Sequence, residues 1–285
     1  MKKCISYWTL GGFEGEVPVV EAAQAAHDLG FDAIELCYGA GELVPEAAPE
    51  TLAEIRQACE AIGIALPSLC SGNYWSVSLC SEDETERRAA IEFTKAYIAC
   101  AAALGADTVL VLPGTVEVPW NPERPIVPAK RAWELAQQSL TELIPVAESH
   151  GVVMALENVW SKFLTGPFEF AAFVDALSSP WVKCYFDVGN VAINGYPEHW
   201  IEILEDRIAR VHVKGFKGRD GGGTMADFTE SHFDSSINWT AVLAALRAIG
   251  YDSYLTAELI VSANGLPDKA LAEKAAKELS ELITM

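Results

Sequence analysis

The sequence predicts a single-domain (β/α)8 TIM barrel over residues 1–285, and three observations carry that prediction. Short β-rich runs alternate with longer Ala/Leu/Glu-rich segments eight times along the chain. The short runs are almost wholly apolar, as parallel strands must be when helices cover one face and barrel packing covers the other. Helical segments end at Gly30, Gly105, Gly151 and Gly250, each just before an apolar run. Glycine suits those places because it tolerates the left-handed conformation that closes a helix. No Ser/Gly/Pro-rich linker divides the chain. A doubly wound open sheet is the alternative, but the G-x-G-x-x-G turn expected after its first strand is missing.

The elements follow in order. Residues 4–7 are the first expected strand, and a helix over about 17–29 comes next. DAIEL (32–36) and GIALPSL (63–69) are the second and third strands, with a helix over 50–61 between them. A long helix over about 83–104 repeats apolar residues every three or four positions and leads into DTVLVL (107–112), which Pro113 and Gly114 close. The second half repeats the pattern. Helices over about 128–150, 168–177 and 197–204 lead into VVMALE (152–157), VKCYFD (182–187) and IARVHVK (208–214). A helix over 239–249 then precedes YLTAE (254–258), and 267–282 is the last helix.

Forty acidic residues against 20 basic ones give a net charge of −20. A nucleic-acid partner needs a basic footprint, so this surface excludes one. The field says less about a phosphorylated sugar, since one local Lys or Arg can override it. Seven cysteines are scattered with no C-x-x-C pair, an odd number that suits neither a zinc ribbon nor a disulfide framework. The expected compartment is therefore the reducing cytoplasm, with thiols packed as small hydrophobes. No apolar run approaches the roughly 18 residues of a membrane span, and the start of the chain lacks a signal-peptide core, so no membrane association is expected.

If the fold is a barrel, chemistry belongs at the carboxyl ends of its strands. Strand five ends at Glu157, strand six ends at Asp187, strand seven carries His212, and strand eight ends at Glu258. One carboxylate at a strand end ordinarily caps the next helix or meets water, and one histidine in a strand is ordinarily a hydrogen-bonded core residue. Four in succession are different. Three carboxylates in one poorly hydrated mouth repel each other unless a cation neutralises them. The donors are hard and oxygen-rich, which favours one divalent ion: Mn2+ first, with Co2+, Mg2+ and Zn2+ also compatible.

The ordered segments ALEN, FDVGN, VHVK and TAEL resemble the xylose-isomerase-like TIM barrels, and within them the sugar and sugar-phosphate isomerases and epimerases of the ketose 3-epimerase kind. The resemblance covers essentially the whole chain. It implies that Glu157, Asp187, His212 and Glu258 hold one divalent metal ion, that Glu157 and Glu258 double as acid/base catalysts, and that the protein is a homo-oligomer acting on a small sugar. The implied reaction is proton transfer at C3 of a ketose or ketose phosphate through a metal-stabilised enediolate. Isomerisation between C1 and C2 would use the same parts. Asn190 stands where several relatives carry a substrate-binding His, and Gly215 stands where an Asp follows the Lys in some of them; the first departure bears on substrate contact.

Lys214, Trp8 and Trp160 join Asn190 as candidate substrate-binding residues, and Glu35 is placed to bind substrate or pair with a cation. Residues 215–236, with their GRDGGG run, form a long loop expected to act as a lid. Lys217 and Arg219 are candidate phosphate contacts there, and Asp220 and Asp227 are candidate ligands for a second ion. The competing activity is a lyase on the same metal site, either an inosose-type dehydratase or an elimination from a 3-keto glycoside. An apurinic endonuclease would need a trinuclear zinc cluster and a basic face, which five histidines and the acidic charge oppose. A barrel degenerated into a partner subunit would not need to keep four costly charges at one mouth.

Overall fold

A computed structural model describes residues 1–218, 222–259 and 265–285. The strands in chain order are β1 (Lys2–Ser6), β2 (Ala33–Cys37), β3 (Ser68–Cys70), β4 (Thr108–Val111), β5 (Val153–Glu157), β6 (Val182–Asp187), β7 (Ile208–Val213), β8 (Gly215–Phe216), β9 (Phe228–Thr229) and β10 (Tyr254–Ala257). Eight of them close into one barrel in the order β1-β10-β7-β6-β5-β4-β3-β2. Every neighbouring pair in the ring is parallel. This is the TIM barrel that the alternating pattern predicts. The remaining two strands, β8 and β9, form an antiparallel pair within the long loop after β7.

The helices are α1 (Tyr7–Gly11), α2 (Val19–Asp28), α3 (Pro49–Ile62), α4 (Glu84–Leu104), α5 (Ala129–His150), α6 (Pro167–Ala176), α7 (Val188–Val191), α8 (Pro197–Leu204), α9 (Trp239–Ala248) and α10 (Lys269–Thr284). In α4 the buried residues Ile91, Thr94, Ile98, Ala101 and Leu104 fall on the three-and-four spacing that turns one stripe toward the barrel. Gly105 and Gly151, after α4 and α5, take φ of +82° and +66°, the left-handed conformation a Cβ would resist. Among the described residues no helix is long and apolar enough to cross a membrane. All seven cysteines are free and buried.

Strand boundaries match expectation within a residue or two except at the third strand, and the one-residue difference at the end of the first has a local cause. The third strand shrinks from 63–69 to Ser68–Cys70. Pro67 has no N–H to give a ladder, and upstream of it only an isolated bridge between Ala65 and Ala33 survives. The first strand ends at Ser6 rather than at residue 7, because Tyr7 starts α1 and its hydroxyl donates to the Val17 carbonyl.

Asp83 heads α4, its carboxylate accepting from the backbone N–H of Thr85 at 2.8 Å and Glu86 at 3.4 Å. Asp83→Ala is expected to lower the unfolding free energy by about 1 kcal/mol. Urea denaturation should show a lower midpoint with an unchanged slope.

Candidate metal centre

Because all eight ring strands run the same way, their carboxyl ends share one face. Glu157 is the last residue of β5, Asp187 the last of β6, His212 the penultimate residue of β7, and Glu258 directly follows β10. The register sets Asp187 beside His212, with Thr256 of β10 on the other side of the histidine. One ligand atom from each of Glu157, Asp187, His212 and Glu258 lies within 4.8 Å of all the others, and all four residues are buried.

The chain around each donor holds it in place. Asn158 locks the end of β5 to the end of β6: its Oδ1 accepts from Asp187 N at 2.8 Å and its Nδ2 donates to Asp187 O at 2.9 Å. Asp187 caps α7, its Oδ1 accepting from Asn190 N at 2.7 Å, which leaves Oδ2 facing inward. Lys214 Nζ lies 2.9 Å from Asp187 Oδ2 and 2.5 Å from Glu258 Oε2. Gly189 makes room for that lysine, since a Cβ there would sit 2.5 Å from Lys214 Cγ. The glycine of the FDVGN segment is thus a packing requirement of the lysine in VHVK.

The cluster shifts its own proton affinities. Burial pushes the Glu157 carboxyl up to about 7; Glu258 and Asp187 add to the rise while His212 and Lys214 oppose it. Burial likewise raises Asp187, against the pull of Lys214. Glu258 goes the other way: burial would raise it, but Lys214 and His212 together hold it below the usual carboxylate range. Burial would depress Lys214, yet Asp187, Glu258 and Glu157 outweigh that and raise it. His212 is also raised, its burial outweighed mainly by Glu35 and Glu258.

The donor set suits a divalent cation. His212 Nδ1 is buried without a hydrogen-bond partner, 3.6 Å from Glu258 Oε2, 3.8 Å from Asp187 Oδ2 and 3.9 Å from Glu157 Oε1. Asp187 Oδ2 makes no hydrogen bond in regular geometry, meeting Lys214 only as an ion pair. Hard cations hold oxygen ligands at about 2.0–2.6 Å, so donors facing one another across an ion stand about 4–5 Å apart. The observed spread meets that requirement. The same four residues, with hard donors and no thiolate, would hold the ion.

The other expected residues divide. Lys214 is inside the cluster. Asn190 is buried there too, but its Nδ2 turns to Asn158 O at 3.0 Å and Glu157 Oε1 at 3.3 Å, so it braces a ligand. Trp160 is half-buried, donates to Asn190 O at 2.7 Å and stacks on Phe228 with ring centroids 5.0 Å apart. Trp8, also half-buried, donates to Cys37 Sγ at 3.0 Å and meets Phe13 edge-on. Glu35 is fully buried and pairs with His212, which removes it from the substrate-binding candidates. Lys217 pairs with Asp234 at 2.6 Å, and Asp227 accepts from Thr224 in a capping box outside the four-residue cluster. Arg219 and Asp220 lie outside the described residues.

Sequence reasoning missed Asn158 as a brace and Phe228 altogether. Phe228 arrives through the β8–β9 pair, which sets it opposite Phe216, and its ring centroid is 5.1 Å from Lys214 Nζ. Nothing local in the glycine-rich loop announces that placement. Asn158 had a signal, because a polar amide directly after a ligand at a strand end is well placed to brace the next strand.

A family model described as xylose isomerase-like TIM barrel matches residues 23–282. An uncharacterized protein of Methanocaldococcus jannaschii is 25% identical over 261 residues, covering 89% of this chain and 82% of that protein. Among solved structures, D-psicose 3-epimerase from Clostridium cellulolyticum H10, with D-tagatose, superposes with a TM-score of 0.82 at 20% identity, covering 100% of this chain and 99% of that one. An L-ribulose 3-epimerase superposes with a TM-score of 0.77 at 19% identity, covering 100% and 98%.

Two outcomes test the centre. Glu157 keeps its proton up to about pH 7 and must lose it to act as an anionic ligand. Protons therefore compete with the cation, and Mn2+ affinity measured by titration calorimetry should fall as the pH is lowered from roughly 8 to 6. His212→Ala should weaken Mn2+ binding by at least about tenfold while a cooperative thermal transition remains; unchanged metal occupancy would strike the histidine from the ligand set.

Proposed function

The chain belongs to the xylose isomerase-like TIM barrel family, and from that premise we propose that it is a metal-dependent epimerase or isomerase of a free or phosphorylated ketose. The observation that carries the reading is the buried set Glu157, Asp187, His212 and Glu258, gathered at the carboxyl ends of four adjacent ring strands. The similarity in fold to a D-psicose 3-epimerase and an L-ribulose 3-epimerase supports C3 as the reacting carbon. The oxygen-rich donor set supports Mn2+ as the ion. Free, buried cysteines support a reducing cytoplasmic location. We further read residues 1–285 as one domain and its working form as a homo-oligomer.

When bound, the divalent ion would act as a Lewis acid toward the substrate's carbonyl and neighbouring hydroxyl oxygens, a contribution of several kcal/mol. The chain does the rest. Glu157 and Glu258 stand on β5 and just after β10, with β6 and β7 between them in the ring. A ketose seated between the two would offer one carboxylate each face of C3. One glutamate removes the C3 proton, the other returns a proton to the opposite face, and no atom or electron is gained overall. Lys214 is placed to meet a substrate oxygen as negative charge develops on it. The half-buried rings of Trp160 and Trp8 provide apolar walls, and the Phe228 ring lies 5.1 Å from the Lys214 ammonium.

The test is solvent deuterium incorporation into a panel of free and phosphorylated ketoses, read by NMR with Mn2+ and then with EDTA. Metal-dependent exchange at C3 is the expected result; exchange at C1 would assign isomerisation instead. Loss of a substrate hydroxyl, or no exchange with metal bound, would overturn the reading in favour of a lyase. Glu157→Gln and Glu258→Gln should each cost about 10²–10⁴-fold in turnover without loss of fold. Near-wild-type turnover in either variant removes the two-glutamate mechanism.

A further inference from the structure

We propose that Glu35 is a positioning residue that locks His212 in the tautomer able to bind metal through Nδ1. The inference rests on the reading of Glu157, Asp187, His212 and Glu258 as a metal site. Glu35 lies on β2, and two strands, β1 and β10, separate it from β7 in the ring. The two side chains therefore meet across the barrel interior. Glu35 Oε1 is 2.7 Å from His212 Nε2, and both residues are fully buried.

The partners of the carboxylate decide the direction of that hydrogen bond. Glu35 Oε2 accepts from Ser68 Oγ at 2.8 Å and from the Tyr185 hydroxyl. With two hydroxyl donors on Oε2, the carboxylate offers Oε1 to His212 as an acceptor. A lone pair on Nε2 would face the lone pairs of Oε1, whereas Nε2–H makes a charge-assisted bond. When a cation occupies the site, the proton that stays on Nε2 leaves the Nδ1 lone pair pointing at the gap among Glu157, Asp187 and Glu258. That Nδ1 is the buried nitrogen with no hydrogen-bond partner. A carboxylate behind the ring also makes the imidazole a stronger ligand.

This role explains a costly feature. A fully buried carboxylate needs compensation, and here it receives three hydrogen bonds from β3, β6 and β7. Glu35 is fully buried, and among the four cluster residues the one it bonds is His212.

The full-length protein, stripped with chelator, is titrated with Mn2+ by calorimetry alongside Glu35→Gln and Glu35→Ala. Removing a group hydrogen-bonded to the far nitrogen of a metal-bound histidine costs about 10–100-fold in affinity. The expected result is about tenfold weaker binding for Glu35→Gln, which retains an acceptor, and a larger loss for Glu35→Ala. Glu35→Gln keeps the test open if the alanine variant fails to fold. A purely structural role would leave ring protonation alone, so the Mg2+-loaded protein carrying 15N-histidine provides a second readout. Wild type should show one exchange-protected Nε2–H that the Glu35→Ala protein lacks. Wild-type binding with unchanged affinity in Glu35→Gln would overturn this inference alone. A wild-type protein that binds no Mn2+ would overturn the metal reading and this inference with it.

Discussion

Three buried carboxylates within a few ångströms of one another are the constraint around which the mouth of this barrel is organised. Taken alone, Glu157, Asp187 and Glu258 would repel each other in a site with little water to screen them. Lys214 answers part of that charge with ion pairs to Asp187 and Glu258. The imidazole of His212 sits in the middle with one nitrogen unpartnered. Such a concentration of negative charge around an open donor is a poor core and a good cation site. The acidic balance of the whole chain, −20, acts in the same direction at longer range.

What holds the donors together is a set of contacts between strand ends. Asn158 joins β5 to β6 by two reciprocal hydrogen bonds, and Asn190 reaches back from α7 to Glu157. Asp187 divides its two oxygens between capping a helix and facing the centre. Below the mouth, Glu35, Ser68 and Tyr185 join β2, β3 and β6 to the histidine on β7. The centre is therefore supported from two sides, by backbone locks at the rim and by a hydrogen-bonded layer within the barrel. Rigidity of this kind is what two acid/base groups need if they are to address opposite faces of one carbon.

Asn190 shows how one substitution redirects a site. A charged or neutral imidazole there would be free to meet a substrate, as the resemblance suggests for relatives with His. The shorter amide instead spends its donors on Glu157 and Asn158.

The chain alone announces the repeating strand–helix order, the helix-closing glycines and the four donors at successive strand ends. Each of these is written in local periodicity or in a residue's own conformational preference, so it can be read without knowing which strands meet. It erred where a local detail overrode the pattern, as at Pro67, which shortens β3. The remaining contacts exist only once the strands have assembled. Glu35 and His212 are 177 residues apart and touch because the ring closes and turns both inward. Gly189 faces Lys214 because the strands before them, β6 and β7, are neighbours in the ring, and Phe228 reaches the lysine through the β8–β9 pair. Closure fixes which side chains share the interior, and no periodicity along the chain encodes a contact made across it.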